Sequence, residues 1–154
     1  MPGPWEGYGP RKRRLVEGVL RAVSRANTWI YRRTRGRLGA KFLGGADICL
    51  LTVIGRKSGL ERTVPLLYLR EGERVIVVAS KGGDCRHPIW YLNLLAKAEV
   101  RVQIGAELLE RRARTASAEE KAEIWPRLVA SYAGYAHYQA STSRDIPVVF
   151  LEPR

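Results

Sequence analysis

Two short basic, glycine-rich segments and one run of tyrosines are where this sequence could do chemistry. Gly55-Arg56-Lys57-Ser58-Gly59 joins residues that let a backbone turn tightly to a guanidinium, an ammonium and a hydroxyl. That is the donor set an anion needs. The segment carries the end of the phosphate-loop pattern without its first glycine, and it leads into a strand-like stretch where a phosphate loop leads into a helix. By itself it reads as a basic hairpin turn. Ser80-Lys81-Gly82-Gly83 repeats the chemistry after another strand. With both loops on one rim, Arg62 and Lys81 are expected to join Lys57 around a single anion. Two unrelated solvated turns are the alternative. Tyr132, Tyr135 and Tyr138 stand at i, i+3 and i+6 and share one face if helical. They suit a core or subunit contact or, with Trp90 and Tyr91, an apolar pocket for a planar ligand.

Other chemistries find little support. His87 and His137 are far apart, and neither CxxC nor HxxxH spacing occurs, so no metal site is expected. Cys85 and His87 are neighbours in sequence, but a thiolate–imidazole pair needs a geometry that spacing does not supply. No Gly-x-Gly-x-x-Gly follows a strand to open a helix, which leaves a dinucleotide fold unsupported. With two cysteines and no stretch apolar enough for a signal-peptide core or a membrane span, a reducing cytoplasm is expected.

The elements that must position these residues follow from periodicity. Residues 1–10 hold three glycines and three prolines and predict a flexible lead-in. From Arg11, Leu15, Val16, Val19, Leu20 and Val23 recur on one helical face, with Arg13, Arg14, Arg21 and Arg25 mostly elsewhere. Such a helix suits a membrane interface or a docked position with a solvated basic side. Ile48–Ile54, Arg62–Leu69 and Arg74–Ala79 read as a β-meander, and Pro65 marks an edge position or a bulge in the second strand. Pro88 opens a short helix to Lys97, Val100–Ile104 and Leu108–Thr115 form a hairpin, and Ser117-x-x-Glu120 starts a helix reaching about Tyr132. Ile146–Leu151 is the last strand. Six strands linked mostly by hairpins, with helices outside, predict an α+β, mainly β fold built on a small antiparallel barrel.

Net charge is +12, and residues 1–41 carry +9 of it against +3 for residues 42–154. The chain therefore divides into a basic lead-in and amphipathic helix over 1–41 and a barrel domain over 42–154. An anionic partner is implied: nucleic acid, an acidic membrane or a polyanionic small molecule.

Three stretches, LLTVIGRKSGLERTVPLLYL, VIVVASKGGDCRHPIWYLNL and SYAGYAHYQASTSRDIPVVFLEP, resemble the deazaflavin-dependent nitroreductase family of actinobacteria. The likeness runs from about Asn27 to the C-terminus and is nearest the menaquinone-reducing, nitroimidazole-activating branch. It implies a split β-barrel related to flavin-mononucleotide-binding barrels, and an oxidoreductase using coenzyme F420, a deazaflavin with a phosphate and a polyglutamate tail. Matched by position, Arg56, Lys57, Ser58, Arg62, Thr63, Val64, Pro65, Leu66 and Leu67 are implied cofactor contacts. So are Val78, Ala79, Ser80, Lys81, Ile89, Trp90, Tyr91, Leu92, Asn93 and Tyr135. Tyr135 and Ser80 are the implied catalytic pair, Tyr135 as a phenol of ordinary pKa that donates a proton. Tyr132, Tyr138 and Trp90 are expected on the substrate side. Cys85 and His87 depart from the family pattern.

The resemblance implies hydride transfer to a quinone or nitroaromatic acceptor by an enzyme held peripherally on an anionic membrane surface, at its cytoplasmic face. Reduction of activated alkenes such as unsaturated lactones, and a carrier of F420 without turnover, are alternatives. A nucleic-acid-binding barrel is a third, in which neither the two loops nor Trp90–Asn93 have a role.

Overall fold

The computed structural model describes residues 9–42 and 45–154, Arg13 without its side chain. The expected lead-in therefore lies almost wholly outside the described residues. Helix α1 (Pro10–Thr34) opens on a proline, where no N–H donor is needed. It stops where Arg35 turns to a φ of 51° and the Gly36 amide donates back to the Tyr31 carbonyl at 2.9 Å. Tyr31 fastens this end to the barrel. Its ring is buried, its hydroxyl donates to the Ile48 carbonyl at 3.1 Å, and it accepts from the Gly105 amide at 2.7 Å. Gly36 permits the approach, since a Cβ there would stand 2.6 Å from the Gly105 Cα.

Strands β1 (Ile48–Ile54), β2 (Glu61–Glu71), β3 (Arg74–Val78), β4 (Glu99–Ile104), β5 (Glu107–Thr115) and β6 (Val148–Pro153) close an antiparallel barrel in the order β1-β2-β3-β6-β5-β4. The expected six-stranded antiparallel barrel is the fold. Alternation along each strand sorts its side chains. Val75 and Val77 point inward to Cys49, Leu51, Val53, Val102 and Leu151, whereas Ile76 and Val78 meet the outer layer of Ile124, Leu128 and Tyr135. β1 is apolar on both faces because Tyr31 covers Ile48 and Leu50 on the outside. Helix α2 (Ile89–Ala96) buries Trp90, Tyr91 and Leu94 in the barrel core.

β2 pairs with β1 from Glu61 through Leu67, but with β3 only from Tyr68 through Glu71. Over the first stretch β2 has β1 on one side and no strand on the other. Pro65, opposite Leu50, lies there, in the edge position expected of a residue without an N–H.

Helix α3 (Ala118–Ser131) starts at the expected capping box: the Ser117 hydroxyl accepts from the Glu120 amide at 3.2 Å, and the Glu120 carboxylate accepts from the Ser117 amide at 2.8 Å. The three tyrosines do not continue one helix, which corrects the pattern of the sequence. Tyr132 is extended (φ −153°, ψ 101°), and a separate helix α4 (Gly134–Ala140) follows. The Tyr132 ring folds back over Gly134, where a Cβ would meet it at 2.3 Å.

Candidate active site

Where β2 parts from β3, the barrel wall opens into a cleft that α1 crosses. One side is apolar, a cavity of about 500 Å³ lined by Pro65, Leu66, Leu67, Val78, Ser80 and Gly82 and by Tyr132, Tyr135 and Tyr138. The other side, about 780 Å³, is basic and lined by Arg56, Lys57, Ser58, Arg62, Thr63 and Val64 together with Ile89, Trp90 and Asn93. Ser24 of α1 lines both sides, so the two cavities meet beneath the helix.

The basic side is built on the turn between β1 and β2. The Gly55 amide donates to the Leu60 carbonyl at 2.8 Å, the Gly59 amide donates to the Gly55 carbonyl at 2.7 Å, and Gly59 takes a φ of 68°. It is the hairpin turn its sequence suggests. Asn93, buried on α2, accepts from the Arg56 amide at 3.2 Å and from its guanidinium at 3.1 Å. Lys57 and Arg62 make no ion pair among the described residues. Arg21 and Arg25 of α1 face the same cavity. Arg21 pairs with Glu17 at 3.9 Å and the Glu61 carboxylate, itself paired with Arg101, also lines this side, so Lys57 and Arg62 are cations left to make it an anion site.

The apolar side is a wall of rings. Tyr132 stacks edge-on against Tyr135 at 5.2 Å, and the Tyr132 and Tyr138 hydroxyls share a hydrogen bond of 3.0 Å. Burial, then the neighbouring phenols, push the Tyr135 pKa well above its ordinary value. This corrects the expectation of an ordinary phenol. Tyr135 therefore stays protonated across the physiological range. Burial, with the bond to Tyr132 adding to it, also raises Tyr138. Leu20, Val23 and Asn27 of α1 also line this side.

Most of the expected site residues gather in these two cavities. Four line neither. Tyr91 is buried in the barrel with its hydroxyl 2.9 Å from the Thr115 hydroxyl, and Ala79 is wholly buried. Leu92 lies apart from the cleft lining, and the Lys81 ammonium turns to Asp84 at 3.4 Å. The expected single cradle of Lys57, Arg62 and Lys81 therefore loses Lys81. Trp90 lines the basic side, away from the tyrosines it was expected to join. Cys85 is exposed, while the His87 Nδ1 lies 3.1 Å from an Arg144 nitrogen.

Sequence reasoning missed three contributors. The part of α1 in the roof was visible as an apolar face, but nothing in the pattern said what that face covers. Asn93 as the holder of Arg56, and Arg144 beneath the Ser80 loop, depend on contacts between residues 37 and 57 to 65 positions apart. No local signal announces them. Among the described residues, no cluster of three His, Cys, Asp or Glu could hold a metal ion, and no helix is long and apolar enough to cross a membrane.

Comparison with known proteins agrees with this arrangement. The family model described as F420H(2)-dependent quinone reductase matches residues 23–153. An F420H(2)-dependent quinone reductase of Mycobacterium tuberculosis is 39% identical over 128 residues, covering 81% of this chain and 86% of the relative. A solved F420-H2 dependent reductase is 45% identical, with a TM-score of 0.64 over 68% of this chain and 93% of its own. Another solved structure, described as a domain-swapped dimer, is 36% identical, with a TM-score of 0.67 over 92% of this chain and 99% of its own. The matched residues take in the whole barrel, both loops and the tyrosine wall, and the chain belongs to the F420H(2)-dependent quinone reductase family.

Proposed function

We propose that this protein binds coenzyme F420 along the cleft under α1 and reduces a quinone there. The observation that carries the reading is the meeting of two unlike cavities below Ser24, one walled by tyrosines and aliphatic side chains and the other rich in arginine and lysine, with Lys57 and Arg62 outside any ion pair among the described residues. A flat ring system with an anionic tail fits that pair. Arg56, Lys57, Ser58 and Arg62 hold the anionic part, and Thr63–Leu67, Val78, Ile89, Trp90 and Asn93 border the ring. The reduced deazaflavin supplies a hydride.

The residues of the chain supply position and polarity. Tyr135, kept protonated by burial, and Ser80 donate hydrogen bonds to the oxygen on which negative charge develops. Tyr132 and Tyr138 brace each other and shape the acceptor side. Leu20 and Val23 add apolar surface to the apolar cavity, and a bound ring that displaces its water strengthens those hydrogen bonds.

The acceptor is lipophilic under this reading, and α1 provides the means to reach it. Leu15, Val19 and Trp29 are exposed on a helix that also bears Arg11, Lys12, Arg14 and Arg25. Such a surface lies in the headgroup region of an anionic bilayer. The protein then works peripherally, at the cytoplasmic face, on a menaquinone-like substrate, and nitroaromatic compounds are reduced as alternative acceptors. To test this, purified protein is mixed with reduced F420 and a menaquinone analogue while the deazaflavin absorbance is followed. Oxidation well above the uncatalysed rate is expected, and its absence overturns the reading. Binding to anionic vesicles, lost at high salt, tests the membrane part.

A further inference from the structure

The loop that carries Ser80 holds one residue, Lys81, in a backbone conformation that its side chain disfavours. Lys81, Gly82 and Gly83 take φ values of 47°, 62° and 81° in succession. The glycines take this conformation freely, but at Lys81 it persists only where the surroundings over-determine it. Two contacts do so. Gly83 lies flat against α4, where a Cβ would come 3.0 Å from the Tyr138 carbonyl oxygen and 3.3 Å from the Ser141 Cβ. From the opposite side comes Arg144, in the segment before β6.

Its guanidinium acts as a template for the loop. Nε donates to the Asp84 carbonyl at 3.1 Å, and Nη2 donates to the same oxygen at 3.0 Å and to the Ser80 carbonyl at 2.9 Å. Nη1 donates to the Ala79 carbonyl at 3.2 Å and meets the His87 Nδ1 at 3.1 Å. All five N–H groups of the fork are used, in a planar pattern that a lysine ammonium cannot reproduce. A guanidinium has no lone pair to offer, so the His87 Nδ1 accepts, and its proton sits on Nε2. Burial, then the Arg144 charge, lower the His87 pKa, in keeping with a neutral ring.

We propose that Arg144 is a positioning residue for the site: its guanidinium fixes the carbonyls of Ala79, Ser80 and Asp84, holds the Ser80 side chain on the tyrosine wall, and keeps His87 as the Nε2-protonated tautomer. The catalytic part rests on the reductase reading of the cleft, while the loop geometry stands without it. His87, the departure from the family pattern noted above, thereby gains a structural reason.

The test uses the full chain as wild type, R144Q and R144K. In the wild type, ¹⁵N spectra of the His87 ring are expected to report an unprotonated Nδ1, and the Gly83 and Asp84 amides, which donate to Ser80 and Lys81 carbonyls at 3.0 and 3.2 Å, to exchange slowly. R144Q is expected to lose the tautomer signature and to raise exchange at those two amides about tenfold or more. Its kcat with reduced F420 and a menaquinone analogue is expected to fall about tenfold, while F420 affinity, read by fluorescence quenching, stays within about threefold. R144K keeps the charge without the fork, so it is expected to fall short of the wild type on the same readouts, and it carries the test if the Gln variant does not fold. Wild-type exchange and kcat in both variants would overturn the proposal. So would a loss of F420 affinity equal to the loss of kcat, which marks general loosening of the fold. If the wild type itself shows no turnover, the reductase reading fails, and the ring and amide measurements still decide the role of Arg144.

Discussion

The two basic glycine loops, residues 55–59 and 80–83, look interchangeable in composition and are wired in opposite ways. The first is a short hairpin turn closed by its own backbone, and it presents Lys57 and Arg62 to the cleft. The second turns its cation away to Asp84 and surrenders its carbonyls to Arg144. One loop leaves its charge facing the cleft, and the other uses charge to hold itself. The difference teaches that a Gly-Lys pair has no fixed meaning. What decides it is whether a counterion lies within a few residues, as Asp84 does for Lys81.

Substitutions can separate the two roles. The largest effect is expected from K57A/R62A, which removes two unpaired cations facing the cleft. Affinity for F420 should fall about a hundredfold, on the scale of charge-assisted hydrogen bonds, with little change in melting temperature. Titration by fluorescence quenching at two salt concentrations checks this, and the variant should also lose most of the salt dependence. Next comes G83A. Its φ of 81° and the 3.0 Å approach of the Tyr138 carbonyl predict a loss of about 2–3 kcal/mol in denaturant unfolding. G59A has a similar φ of 68° but nothing within 4 Å of the new Cβ. It should lose only about 1 kcal/mol by the same measurement. Equal losses for the two would erase the contrast between a packed loop and an open one.

The smallest effect is expected from K81A, which should change F420 affinity less than about twofold, because its ion pair is a partly exposed one. Its signature is in acid. Burial would raise the Asp84 pKa, but the Arg86 amide and guanidinium, with Lys81, outweigh it and hold the group at about 2. The carboxylate therefore stabilises the fold above pH 3.8, its ordinary value, and the contribution fades as pH falls through about 2. Melting temperatures across that window should drop less steeply in K81A than in the wild type.

The barrel was legible because its strands are short, β-branched and separated by turn residues, so that local pattern and global fold agree. Pro65 told of an open edge for the same reason: a missing donor is a local property with a topological consequence. The tyrosine spacing was legible as a cluster and misleading as a helix. Three residues apart on one face describes α-helical geometry, whereas the ring of Tyr132 reaches its neighbours by folding over Gly134. Arg56, Lys57 and Ser58 could be expected at the cleft from residue type together with the family resemblance, and they line its basic side. Arg144 could not, because its partners lie 57 to 65 positions away and are mostly backbone oxygens, which every residue has. Lys81 was misassigned because a sequence shows the charge of a side chain and hides the direction in which it points.

The Tyr31 anchor has a mechanical consequence for the roof. A rod held firmly at one end acts as a lever, and α1 is pinned to the barrel by a buried ring near its C-terminus while Leu20 sits further out over the cleft. The eleven residue steps from Leu20 to Tyr31 span about 16 Å at a rise of about 1.5 Å each. A tilt of about 10° about that pivot lifts Leu20 by about 3 Å on the same geometry, comparable to the thickness of one aromatic ring. The clearance above the tyrosine wall thus depends on how stiffly one phenol with two backbone partners, one glycine contact and the 2.7 Å bond from the Arg32 guanidinium to the Thr63 hydroxyl resist rotation.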